Sequence, residues 1–160
     1  MTGSIIRPGD RPRTLMLPPA PYAAAIACGW FIDRHFMPLH LNLGWLTYPL
    51  GWLSVTIGLI LMLWALRHLI LHRTTFNPYL AATNLCTTGP YRFSRNPIYV
   101  GDWFILVGFS LWLTTWWPIV FSPLIWATVR YSVIRYEEEH LEAKFGDEYR
   151  NYQARVHRWL

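Results

Sequence analysis

Residues 51–66 read GWLSVTIGLILMLWAL, a run with no charge and no polar face. A helix buried in a soluble domain normally keeps a polar stripe toward water, and this one has only Ser54 and Thr56 to offer. Working outward, the uncharged stretch extends over Trp45–Leu66. At about 1.5 Å per residue that is enough to cross a hydrocarbon layer roughly 30 Å thick. Leu15–Ile32 is also free of charge, and between Asn96 and Val129 the sole charge is Asp102. A single helix over the latter stretch would be about 50 Å long, too long for one span. Thr114-Thr115-Trp116-Trp117-Pro118 offers a break there, with Pro118 suited to open the next helix. The sequence therefore predicts an all-α, polytopic membrane helix bundle. Its four spans fall at about 17–36, 45–67, 97–115 and 118–136, followed by a C-terminal amphipathic helix.

Composition agrees. The chain of 160 residues is 53% hydrophobic and only 14% charged, whereas about 25% charged is ordinary. Disorder requires low hydrophobicity, and two cysteines make no disulfide framework. Mean hydropathy is a modest +0.19, so the placement of charge carries the signal. Of the fourteen Lys and Arg, only Arg34 falls in the connections after the first and third spans; the other thirteen precede the first span, lie from the end of the second to the start of the third, or lie at the end of the fourth and beyond. By the positive-inside rule both termini are expected in the cytoplasm. The net charge of +5 then reports membrane orientation and contact with membrane lipids rather than nucleic-acid binding. The first span reads as a retained anchor, because Arg7, Arg11 and Arg13 precede an apolar run without a convincing cleavage site. No internal repeat divides the chain, which is expected to form one domain over 1–160.

The two long polar pieces, 68–96 and 137–160, fall on the same expected side. In the first, Thr88-Gly89-Pro90-Tyr91 is followed by Arg95-Asn96-Pro97-Ile98-Tyr99-Val100-Gly101. Gly-Pro and Asn-Pro mark a kinked loop opening into the third span. Such a loop either serves as a tight turn with positive-inside anchoring or offers backbone N–H groups and Arg92 and Arg95 to an anion. In the second, Leu141, Phe145, Tyr149, Tyr152 and Val156 form an amphipathic stripe interrupted by Gly146. Glu137-Glu138-Glu139 is either a solvated face or a partner for an ammonium group; beside the loop, it would complete a site for a zwitterion.

These elements in this order resemble the isoprenylcysteine carboxyl methyltransferase and phospholipid methyltransferase superfamily, integral membrane enzymes that use S-adenosylmethionine. The resemblance covers roughly 85–158. It implies a cytoplasmic cofactor site. Leu85, Cys86 and Thr87 match the segment on the adenosine side, and Gly89 and Tyr91 belong to the Gly-Pro-Tyr motif. Asn96, Pro97, Ile98 and Tyr99 match the His/Asn-Pro-x-Tyr element. Glu137, with its neighbour Glu138, matches the glutamate at the amino-acid end of the cofactor. Prenylcysteine enzymes carry a substrate-handling arginine one turn before that glutamate, where this chain has Val133. Arg130, seven residues before Glu137, would share its face in a regular helix, either handling substrate or snorkelling to headgroups. The acceptor is thus a lipophilic small molecule or lipid, a prenylcysteine-like carboxylate or an amine headgroup.

Asp102, an acid inside a span, is a functional candidate by default, shares a helix face with Tyr99, and otherwise would pair with Arg95 or Arg130. His68 and His72 are spaced i, i+4, but no further ligand at metal spacing joins them. Cys86 reads as a wall residue, and Gly51, Gly58 and Gly108 as packing contacts. Two other readings compete: a sterol-reductase-like enzyme binding NADPH, for which no second nucleotide segment is visible, and a non-catalytic membrane assembly protein that keeps the fold.

Overall fold

The computed structural model describes residues 19–74 and 84–159. Arg7, Arg11, Arg13 and the first residues of the first expected span lie outside the described residues. The described chain is all-helical: α1 (Ala20–His35), α2 (Thr47–Leu71), α3 (Pro97–Trp112), α4 (Trp117–Val120), α5 (Ser122–Val129), α6 (Arg135–Phe145) and α7 (Asp147–Arg155). Short 3₁₀ turns cover Gly44–Leu46 and Gly89–Arg92, and a π turn covers Arg130–Ile134.

Gly44–Leu71 is, among the described residues, the helix long and apolar enough to cross a membrane; Pro97–Trp112 is a shorter apolar helix. The stretch expected as a fourth span is not one regular helix. Pro118 stands in the first turn of α4, as expected, but Pro123, inside the stretch, lacks the N–H that would bond four residues back. The chain there advances as α4, α5 and the π turn, which runs directly into α6. The expected C-terminal helix is also two pieces. Gly146 adopts φ +53°, a conformation that side chains resist, and separates α6 from α7.

α3 lies between α2 and α1, and α1 also packs on α4 and α5. The α2–α3 seam is built from glycines seven residues apart on each helix. A Cβ on Gly58 would stand 2.6 Å from the Gly101 carbonyl oxygen, and one on Gly108 would stand 2.9 Å from that of Gly51. Small residues let the backbones approach this closely. Ser54 Oγ adds a hydrogen bond to the Phe104 carbonyl at 2.7 Å. On the other side of α3, Tyr22 and Ala25 of α1 meet Tyr99 and Leu106 of α3 and Ile125, Val129, Val133 and Ile134 of the fourth segment in one buried cluster.

The two ends of the bundle differ. At one end Asp33, buried, accepts hydrogen bonds from Thr115 Oγ1 (2.7 Å) and the Leu39 amide (2.9 Å). An isolated bridge between His40 and Thr115 ties the two short connections there. At the other end the N-terminus of α3, the C-terminus of α2, the Gly89–Arg92 turn and α6–α7 converge. Between the ends, Trp52, Leu53, Ile60, Leu63 and Trp64 of α2 stand exposed. An apolar face of that extent marks contact with something other than water.

Candidate functional site

The polar end is assembled around the first turn of α3. Pro97 occupies the start of that helix, where its missing N–H costs nothing. Asn96, held at φ −131°, is the entry residue. Its Nδ2 donates to the Arg158 carbonyl at 3.0 Å, and Ser94 Oγ donates to the same oxygen at 3.3 Å. The Arg95 amide donates to the His157 carbonyl at 3.0 Å. The C-terminal segment after α7 is thereby strapped across the loop that enters α3.

One turn into α3, the Tyr99 hydroxyl reaches both oxygens of Glu137, at 3.1 and 3.2 Å. Glu137 has no ion-pair partner among the described residues. Burial pushes its carboxyl up to about 7, the Tyr99 hydrogen bond working against the rise and the charge of Glu138 adding to it. Glu138 is handled differently. Arg158 grips it in a two-point contact, Nε to Oε1 at 2.9 Å and Nη2 to Oε2 at 2.6 Å, and Arg95 Nη1 stands 3.2 Å from Oε1. Such paired charge-assisted contacts are the strong kind. Neighbouring glutamates therefore have opposite status, one neutralised twice and one held by a phenol alone. Arg95 in turn keeps Nε buried without a hydrogen-bond partner, a donor still to be satisfied.

The loop supplies the wall. Cys86 and Tyr91 are buried with Ala65 and Leu69 of α2, and Ile98 packs on them. Burial raises the Cys86 thiol, the reverse of what activates a nucleophile. Tyr91 is raised too, by burial first and then by its neighbours Cys86, Glu137 and Tyr152. The Tyr152 hydroxyl donates to the Tyr91 carbonyl at 2.6 Å. Leu85 packs with Leu141 and Phe145 onto Tyr149, Tyr152 and Val156, so the amphipathic stripe closes on itself across the Gly146 bend. Gly89, at φ +60°, lies directly against the His68 ring, and a side chain there would displace it. Thr87 is half-buried beside them.

The expected residues thus fall into three groups: Tyr99 with Glu137; Glu138 and Asn96, each joined to Arg158, at its guanidinium and its carbonyl respectively; and Cys86, Gly89, Tyr91 and Ile98 along the loop. Asp102 is buried. It does not pair with Arg95 or Arg130. Arg95 is committed to Glu138, and Arg130 lies over the rings of Trp126 and Tyr131 at 5.2 and 5.7 Å. The shared face expected for Arg130 and Glu137 assumed a regular helix. The π turn at Arg130–Ile134 takes about one residue more per turn, so seven residues no longer make two turns. Arg130 instead borders a depression with Glu138 and Arg158.

Three partners escaped the sequence reading. Arg158 looked like one more basic residue near the terminus, and nothing local marks its reach to Glu138. Tyr22 comes from α1, its hydroxyl 3.5 Å from the Tyr99 carbonyl. Thr88 Oγ1 links His68 Nδ1 (3.1 Å) to His72 Nε2 (3.2 Å), which gives the i, i+4 pair a structural role at the loop.

A family model described as phospholipid methyltransferase matches residues 46–148, a segment that includes α2, the loop, α3 and Glu137-Glu138. An uncharacterized protein of Haemophilus influenzae (strain ATCC 51907 / DSM 11121 / KW20 / Rd) is 38% identical over 66 residues, which is its full length and 39% of this chain. No solved structure matches significantly.

Proposed function

The chain belongs to the phospholipid methyltransferase family, and from that premise we propose that it is a multi-pass membrane enzyme moving a methyl group from S-adenosylmethionine to a lipophilic acceptor. In this reading the acceptor is an amine headgroup or a prenylcysteine-like carboxylate, the chain crosses the membrane four times, and the distribution of Lys and Arg supports a cytoplasmic site and cytoplasmic termini. The observation that carries the reading is the unequal treatment of Glu137 and Glu138. The amino-acid end of the cofactor is a zwitterion. An unpaired carboxylate at Glu137 suits its ammonium, and the buried, unpartnered Nε of Arg95 suits its carboxylate. The residues present therefore fit the group.

S-adenosylmethionine supplies the methyl group as an electrophile when bound. The chain's own work is alignment and exclusion of water. Tyr99 fixes the Glu137 carboxylate by bonding both of its oxygens. Arg95 and Arg158 hold Glu138 so that its charge does not compete. Leu85, Cys86, Thr87, Gly89 and Tyr91 form the wall for the adenosine side, with Asn96, Pro97 and Ile98 setting the entry to α3. Asp102, buried and without an ion-pair partner among the described residues, is placed to accept the proton that an amine acceptor releases.

Thermal unfolding of detergent-solubilised protein tests this, since a ligand that binds only the folded state raises its stability. S-adenosylhomocysteine at millimolar concentration should raise the Tm of the parent and not of Glu137→Ala. A shift with NADPH alone would point to the reductase reading, and no shift with either would favour a non-catalytic protein.

A further inference from the structure

Two histidines reach the loop of the site from the end of α2. His68 lies in the last turn of that helix and His72 caps it, their rings stacked with centroids 6.2 Å apart. Thr88 Oγ1 sits between them, 3.1 Å from His68 Nδ1 and 3.2 Å from His72 Nε2. Thr88 is the residue before Gly89, where the chain enters the Gly89–Arg92 turn that carries Tyr91.

The direction of each hydrogen bond follows from one fixed end. His72 Nδ1 stands 2.9 Å from the His68 carbonyl oxygen. A carbonyl only accepts, so Nδ1 carries the proton and, in a neutral ring, Nε2 is a bare acceptor. Thr88 therefore donates its hydroxyl proton to His72 Nε2. The Cys86 sulfur, also beside that hydroxyl, is the weaker acceptor. With its one proton used, Thr88 Oγ1 accepts from His68, which must carry its own proton on Nδ1. The chain of hydrogen bonds runs one way, from His68 through Thr88 and His72 to the last carbonyls of α2, and it sets the same tautomer in both rings. Two further contacts bind the loop to this helix end. Asn84 Nδ2 donates to the His72 carbonyl at 2.7 Å, and Gly89 lies against the His68 ring.

The structure assigns His68 and His72 as positioning residues for the cofactor loop. Acting through Thr88, they hold the turn before Tyr91 in the geometry that receives the adenosine side of S-adenosylmethionine. Neither has to touch the cofactor. A ligand that meets a loosened loop uses part of its binding energy to order it, so breaking the chain lowers affinity while every wall residue stays in place. The cofactor role rests on the methyltransferase reading; the direction of the hydrogen bonds does not.

The test uses the full chain in an uncharged maltoside detergent at pH 8. Calorimetric titration takes S-adenosylhomocysteine and 5′-methylthioadenosine, which lacks the amino-acid end, as probes. Thr88→Val should weaken both roughly fivefold, His68→Phe should do the same, and Thr88→Ser should restore the parent's affinity. Glu137→Ala, at the other end of the cofactor, should weaken S-adenosylhomocysteine and leave methylthioadenosine unchanged. Nitrogen-15 spectra of the ligand-free parent should show the proton on Nδ1 in both His68 and His72, a signature read without any variant. A proton on Nε2 of either neutral ring would overturn the chain. Equal affinity of parent and Thr88→Val for methylthioadenosine would overturn the positioning role alone, as would Thr88→Ser binding as weakly as Thr88→Val, which would give the effect to packing rather than to the hydroxyl. A parent that binds neither probe would remove the methyltransferase reading and the positioning role with it.

Discussion

Replacing Glu137 with Gln isolates the one unpaired carboxylate of the site and has two linked consequences. Burial raises this carboxyl from an ordinary 4.5 to about 7, a difference of about 3 kcal/mol at 1.36 kcal/mol per pH unit. Because the folded form holds its proton more tightly than the unfolded chain does, the ligand-free protein loses stability as pH rises from 4.5 to 7 and levels off above. Glu137→Gln has no proton to lose. Relative to the parent it should be about equally stable near pH 4.5 and more stable at pH 8, by no more than about 3 kcal/mol. Taking the difference between the two proteins cancels every contribution they share. Binding should run the other way. An ammonium ligand needs the charged carboxylate, so S-adenosylhomocysteine should bind the parent roughly tenfold more weakly at pH 6 than at pH 8. The variant should bind weakly with no such dependence. Calorimetric titration at four or five pH values, alongside thermal unfolding in the same buffers, reads both effects. Parallel pH profiles for parent and variant would show that Glu137 neither titrates in this range nor meets the ligand's ammonium.

Three other outcomes follow from the geometry. Tyr99→Phe removes the donor to both Glu137 oxygens and should weaken S-adenosylhomocysteine by roughly tenfold, at a stability cost of about 1–2 kcal/mol, both read by titration and unfolding of the same sample. Gly58→Ala would place a methyl 2.6 Å from the Gly101 carbonyl oxygen, forcing α2 from α3 and costing about 1–3 kcal/mol; a Tm equal to the parent's would mean the seam is looser than described. Asp102→Asn should lower turnover well beyond its effect on cofactor affinity, and unchanged kinetics would remove Asp102 from the reaction.

The features legible in sequence were those set by neighbours along the chain. Absence of charge over Trp45–Leu66 announced α2, and Asn96-Pro97 fixed the start of α3 because proline constrains both its own backbone and the residue before it. The spacing of Leu141, Phe145, Tyr149, Tyr152 and Val156 gave one apolar cluster even though Gly146 splits the helix, since a bend folds the stripe without changing which residues are apolar. What stayed hidden depended on distance or on local winding. The π turn left no compositional mark at Arg130–Ile134, so a face computed from regular geometry went astray there. Pro118 was legible as a helix start, but Pro123 divided the stretch after it, which hydropathy alone joined. Arg158 meets Glu138 twenty residues back only because Gly146 and the strap beyond α7 return the chain to the loop before α3.

Transfer of a methyl-labelled group bears on the whole account at once. Purified protein reconstituted into bilayer discs containing phosphatidylethanolamine, and separately into discs supplemented with a prenylcysteine, should move label from S-adenosylmethionine into one of the two lipid fractions, and Glu137→Gln should lose most of that transfer. Label absent from both fractions while S-adenosylhomocysteine still binds would contradict the proposed acceptor classes. Label incorporated equally by Glu137→Gln would contradict the site itself.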